Sequence, residues 1–116
     1  ICPTIVFDNG ALHTVIGAPG GTQIAMGVTQ ALLNSIDFDM PMLEAVVAPR
    51  FSSTSNAIDV SNRIPRSVTD ALNAEGYDII RWPQSYAFGL VHGISVTDDG
   101  LSGAADPGGD GMAMSC

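Results

Sequence analysis

The stretch Gly17-Ala18-Pro19-Gly20-Gly21 constrains this chain more than any other. Proline lacks a backbone N–H and clashes inside a helix, and adjacent glycines weaken a strand, so neither element runs through it. Before it, Thr4 to Phe7 and Leu12 to Ile16 are β-rich runs around Asp8-Asn9-Gly10, a turn sequence suited to positive φ. They read as a hairpin. After it, Ile24, Val28, Ala31, Leu32 and Ile36 recur at spacings of three and four and share one helix face, with Thr22 as a cap. Two consecutive glycines thus stand between a strand and a helix start. The first N–H groups of a helix have no acceptor within it, and glycine lets backbone come close to a bound group. Such donors suit an anion or a developing oxyanion. A tight turn with no ligand is the plain structural alternative. The stretch matches neither the phosphate loop nor the dinucleotide fingerprint.

Further along, a second helix is expected from near Asp39, with Pro41 in its first turn and an end before Pro49. Ser and Asn dominate between Phe51 and Arg63, which reads as an exposed loop with one short strand at Ala57–Val60. A third helix is expected from Pro65 to Gly76, with Ile64, Val68, Ala71 and Leu72 as its apolar stripe. Tyr77 to Trp82 reads as a strand. Leu90–Val96 and Leu101–Ala104 flank Asp98-Asp99-Gly100 as a second hairpin. The order ββ-α-α-α-βββ predicts an α+β fold with helices on one face of a largely antiparallel sheet. A second covering layer would have to come from residues outside this sequence.

With 116 residues and 46% hydrophobic content, the chain fits one small domain, 1–116, with a buried core. A net charge of −8, with only four basic residues, all arginine, argues against nucleic acid and anionic membrane surfaces as partners. No apolar run approaches the roughly 20 residues of a membrane helix, and no targeting leader is visible. Because the first residue is Ile1, the chain is expected to be a processed or trimmed piece of something longer. Cys2 and Cys116 stand near the extremes and are expected as free thiols, a disulfide between the ends being the alternative. His13 and His92 show no ligand spacing to them, so no metal and no cofactor is expected.

Five segments, in order and in register, resemble gamma-glutamyltransferases and their acylase-like relatives. They are Cys2-Pro3-Thr4-Ile5-Val6, Gly17-Ala18-Pro19-Gly20-Gly21-Thr22, Asn34-Ser35-Ile36-Asp37-Phe38, Glu44-Ala45 with Ala48-Pro49-Arg50-Phe51, and Gly103-Ala104-Ala105-Asp106-Pro107. The resemblance implies the C-terminal portion of the small, catalytic subunit. It implies one part of an αββα sandwich of the N-terminal-nucleophile type, made by autoprocessing of a precursor into a heterodimer. It implies an acyl-enzyme on a threonine, an amide substrate of γ-glutamyl kind as in glutathione metabolism, and the rest of the processed precursor as partner. Carried over by residue, Gly20 and Gly21 are the oxyanion-hole donors, expected at the mouth of a pocket. Arg50 matches an arginine linked to folding or maturation and is read as structural.

The departures are specific. The family's nucleophilic threonine lies upstream of the Cys2-Pro3-Thr4 segment, as does its substrate-holding Ser-Ser pair. Gly108 stands where an arginine usually follows Asp-Pro, and Cys2 where Ser or Thr is common. These leave open a gamma-glutamyl enzyme, an acylase acting on another amide, and a scaffold subunit without catalysis. A periplasmic or secreted location would go with the first, a cytoplasmic one with the second. The other candidates take plain readings: His13 and His92 as ordinary sheet residues, Asp106 as structural, Asp98 and Asp99 as turn residues, the methionines as core filler.

Overall fold

The Asn9-Gly10 turn is the first place where backbone chemistry fixes topology. Both residues take positive φ, 49° and 83°, the geometry that closes a tight hairpin. In the computed structural model, which describes residues 1–114, the turn joins β1 (Thr4–Asp8) to β2 (Ala11–Gly17), with a register shift between Val6 and Phe7. A second hairpin, β6 (His92–Thr97) and β7 (Gly100–Ala105), turns at Asp98-Asp99. Strand β2 pairs antiparallel with β6, giving a four-stranded sheet in the order β1-β2-β6-β7.

Side chains alternate across this sheet. Thr14, Ile16, Gly93, Ser95 and Ala104 are buried on one face, under helices α1 (Ile24–Ile36) and α2 (Met42–Val47). The core is Ile16, Ala18, Val28, Ala31, Met42, Val46, Val91 and Ala104, with Cys2, Ile24 and Leu32 packed against it. On the other face Ile5, Val15 and Ile94 stand in register and are 59%, 40% and 47% exposed, with Leu101 beside them at 77%. That apolar row is the face on which the second layer expected from outside this sequence would pack. The α+β class, the largely antiparallel sheet and the helices on one face all hold.

Two elements start later than the sequence suggests. Helix α2 begins at Met42, not near Asp39, because Asp39 adopts φ 52° and cannot belong to a right-handed helix. Pro41 is its N-cap, and its carbonyl accepts from Ala45 N–H at 2.9 Å. Helix α1 is entered through a single 3-10 turn, Gly21–Gln23, and Thr22 makes no capping bond.

The Tyr77–Trp82 strand does not join the main sheet. Strand β5 (Ile79–Arg81) lies parallel to β4 (Ile58–Val60), which pairs antiparallel with the short β3 (Phe51–Ser52). A parallel pair needs a crossover, and helix α3 (Arg66–Ala74) supplies it. Gly76, at φ 95°, ends α3, with Tyr77 N–H reaching Leu72 carbonyl at 3.1 Å. Of the expected α3 stripe, Ile64 and Leu72 are half-buried, whereas Val68 and Ala71 face outward. Gln30 of α1 links the two sheets: its amide donates to Phe51 carbonyl at 2.8 Å and accepts from Phe51 N–H at 3.0 Å. Among the described residues no helix is long and apolar enough to cross a membrane.

Candidate active site

The glycine turn leaves the sheet at the end of β2 and enters α1 with its backbone donors unpaired. Ala18 is buried and anchors the turn in the core. Gly20 adopts φ 139°, ψ 21°, and Gly21 φ 66°, conformations that side-chain-bearing residues rarely take. Among the described residues neither Gly20 N–H nor Gly21 N–H has a hydrogen-bond acceptor. Both glycines are exposed. They form an open ledge on the surface of this chain. One cleft, of about 530 Å³, lies among Asn62, Arg63, Arg66, Arg81 and Trp82. Another lies on the outer sheet face near Val15, Ile94 and Met112.

Behind the ledge stands a segment that sequence reasoning left unassigned. Leu90 N–H donates to Pro19 carbonyl at 3.0 Å, tying residues 88–90 to the turn. Phe88 and Gly89 both have positive φ, 70° and 86°, and Phe88 is fully buried. A Cβ on Gly20 would lie 2.8 Å from Gly89 Cα, so the two backbones touch. The Phe88 ring meets Trp82 edge-on at 5.3 Å, and Trp82 Nε1 donates to Asp59 at 2.9 Å. The only sequence signal for this segment was a glycine in a stretch without periodicity.

Arg50 and Asp106, separated in sequence, form a buried ion pair at 3% and 0% side-chain exposure. Arg50 also donates to Val46 carbonyl at 2.6 Å and to Gly89 carbonyl at 2.9 Å, while its Nε has no partner among the described residues. Asp106 accepts from Gly108 N–H at 2.8 Å. The structural readings of both residues are thereby given partners.

The remaining candidates have ordinary partners, and His92 pairs with Gly17 at the start of the glycine turn. His13 Nδ1 is hydrogen-bonded to Thr14 Oγ1 at 2.8 Å, and His92 Nδ1–H donates to Leu90 carbonyl at 2.9 Å. Cys2 is a half-buried thiol against the core. Cys116, its conjectured partner, lies outside the described residues.

A largely antiparallel sheet with helices on one face, an opposite face with an exposed apolar row and a glycine turn opening into the first helix define part of an N-terminal-nucleophile hydrolase sandwich. Solved structures agree. Gamma-glutamyltranspeptidase from Pseudomonas nitroreducens, complexed with L-DON, superposes with a TM-score of 0.86 at 32% identity over 99% of this chain and 61% of that one. Cephalosporin acylase from Bacillus halodurans gives 0.87 at 28% identity over 95% of this chain and 21% of that one. The chain belongs to the gamma-glutamyltranspeptidase family, whose model matches residues 1–116. It is 35% identical to an Acylase ACY 1 proenzyme of Pseudomonas sp. (strain V22) over 98% of its length. It is also 35% identical to the glutathione hydrolase proenzyme of Escherichia coli (strain K12) over 90%. It spans only about a fifth of either relative, 20% and 18%.

Proposed function

We propose that this chain supplies the oxyanion hole of an amidohydrolase or acyl transferase whose nucleophile is a threonine upstream of Ile1. The observation that carries the reading is the pair of positive-φ glycines whose N–H groups have no acceptor among the described residues. The hydroxyl of that threonine adds to the amide carbonyl while its own α-amino group takes the proton. The carbonyl oxygen becomes an oxyanion beside Gly20 N–H and Gly21 N–H, which stabilise charge as it develops. The α-ammonium passes that proton to the leaving nitrogen, and collapse expels the amine and leaves an ester, which water or an acceptor amine then cleaves.

The acyl group is γ-glutamyl or a related acyl chain. Similarity to a glutathione hydrolase supports the first and similarity to an acylase supports the second. The decisive assay uses the full-length precursor after processing. It compares a γ-glutamyl anilide with the same anilide lacking the α-amino group. Preference for the first fits a gamma-glutamyl enzyme, and preference for the second an acylase. No turnover of either, with an intact N-terminal threonine, would refute the catalytic reading in favour of a scaffold.

A further inference from the structure

The backbone of Phe88-Gly89 is strained, buried and pressed against the glycine turn, and its position is held from three sides. Positive φ at Phe88, a bulky residue, is a sparsely populated state that persists only where surrounding contacts enforce it. Trp82 packs on its ring. The Pro19 carbonyl accepts from the next residue, Leu90. From behind, Arg50 donates to Gly89 carbonyl, and Arg50 is itself held by the buried Asp106. Space is tight in front. Gly89 Cα occupies the position next to which a Gly20 side chain would fall, and a Cβ on Gly27 would sit 2.6 Å from Phe88 carbonyl oxygen. The segment therefore fixes both the turn and the first turns of α1.

We propose that Phe88-Gly89, anchored by the Arg50–Asp106 pair, is the positioning element that aims the Gly20 and Gly21 N–H groups. This rests on the oxyanion-hole reading above. Arg50, Asp106 and Gly89 touch no reacting atom. They act through the backbone of Gly20, which sits at a φ of 139° and, as glycine, has no side chain to hold it in place. An oxyanion donor works by being held in place before charge develops. A displacement of about 1 Å in such a group costs on the order of 100-fold in rate.

The test uses the full-length precursor, with activity normalised to the processed fraction. Asp106→Asn releases Arg50 from its charge partner. Gly89→Ala leaves the ion pair intact but places a methyl 3.5 Å from Gln23 carbonyl oxygen and 3.7 Å from Ile24 Cα, at a φ of 86°. Should Asp106→Asn not accumulate as folded protein, Gly89→Ala carries the same test. Each is expected to lower kcat about 10–100-fold with little change in KM. Each is also expected to weaken, by a similar factor, a boronate that forms a tetrahedral adduct with a hydroxyl nucleophile. A product acid, which has no oxyanion, should bind as before. Wild-type kcat in the processed variants, or equal weakening of boronate and product, overturns the proposal. Comparison with removal of the Gly21 N–H separates the two readings. If that removal slows turnover and the brace variants do not, only the positioning role fails. If that removal is harmless, Gly21 drops out of the oxyanion hole, and the brace proposed to aim it fails with it.

Discussion

Gly93 lies directly beneath the thioether of Met42: a Cβ on Gly93 would stand 2.6 Å from Met42 Sδ. The sheet is thin there because α2 sits close. The same distance separates a Cβ on Gly27 from the carbonyl oxygen of Phe88. The two obstacles differ in kind. Methionine is flexible and can yield, whereas a backbone carbonyl held by strained neighbours cannot.

This difference sets the first prediction. Gly93→Ala should destabilise the full protein by about 1 kcal/mol, the low end of overpacking, as Met42 re-packs. Gly27→Ala should cost about 1–3 kcal/mol through overpacking, although alanine is favoured over glycine within a helix by about 1 kcal/mol. Thermal melts of both variants give the ranking. A Gly27→Ala protein more stable than wild type would show that Phe88 is not firmly held.

The bare face of the sheet sets the second. Ile5, Val15 and Ile94 form an exposed row that a lone chain would show to water. It should be covered by the remainder of the precursor in an interface well beyond about 1,600 Å². Ile94→Asp should then abolish assembly or leave the precursor insoluble, while Ser67→Asp on exposed α3 should have no effect. Sedimentation and soluble yield report both. A residue 1–116 chain that is monomeric and melts cooperatively by itself would contradict the idea.

The exposed sheet face was legible in the sequence because it followed from counting elements on each side of a sheet. The two hairpins were legible for a local reason: Asn9-Gly10 and Asp98-Asp99-Gly100 carry their own turn chemistry. The glycine turn was legible through its proline and glycines and through its family resemblance. What stayed hidden depends on tertiary contact. Thr22 has the chemistry of a cap, yet the chain enters α1 by a 3-10 turn that leaves it exposed. Ile79–Arg81 has strand composition, but its parallel pairing with Ile58–Val60 depends on α3 crossing between them. Positive φ at Phe88 is imposed by Trp82, Arg50 and the glycine turn, and nothing in Tyr86-Ala87-Phe88 announces it.

A third prediction concerns the chain by itself. Residues 1–116 should show no amidase activity, because the nucleophile of the proposed mechanism lies upstream and an oxyanion hole supplies only part of catalysis. Incubation with a γ-glutamyl anilide is the assay. Turnover that persists through repurification would mean that a residue of this chain is the nucleophile.

The last prediction separates the two glycines. A side chain at Gly20 would collide with Gly89 Cα at a φ of 139°, so Gly20→Ala should reduce stability and turnover together. Gly21 has nothing within 4 Å of its would-be Cβ, and its φ is 66°. Alanine there costs about 1–2 kcal/mol of backbone strain and little else. Any larger loss in Gly21→Ala then reports on the reaction, since the new methyl stands on the exposed ledge where substrate would approach. Substitution by alanine keeps the N–H, however, so it tests access and not donation. Replacing Gly21 with glycolic acid, by nonsense suppression in the full precursor, converts the Gly20–Gly21 amide to an ester. It removes that one donor without adding an atom to the ledge. Loss of one oxyanion donor typically costs on the order of 10²–10³ in kcat. The ester should therefore slow acylation by about that factor while product binding stays unchanged, as measured by single-turnover release of the aniline. An ester variant that acylates at the wild-type rate would leave the family fold in place and remove Gly21 from its chemistry.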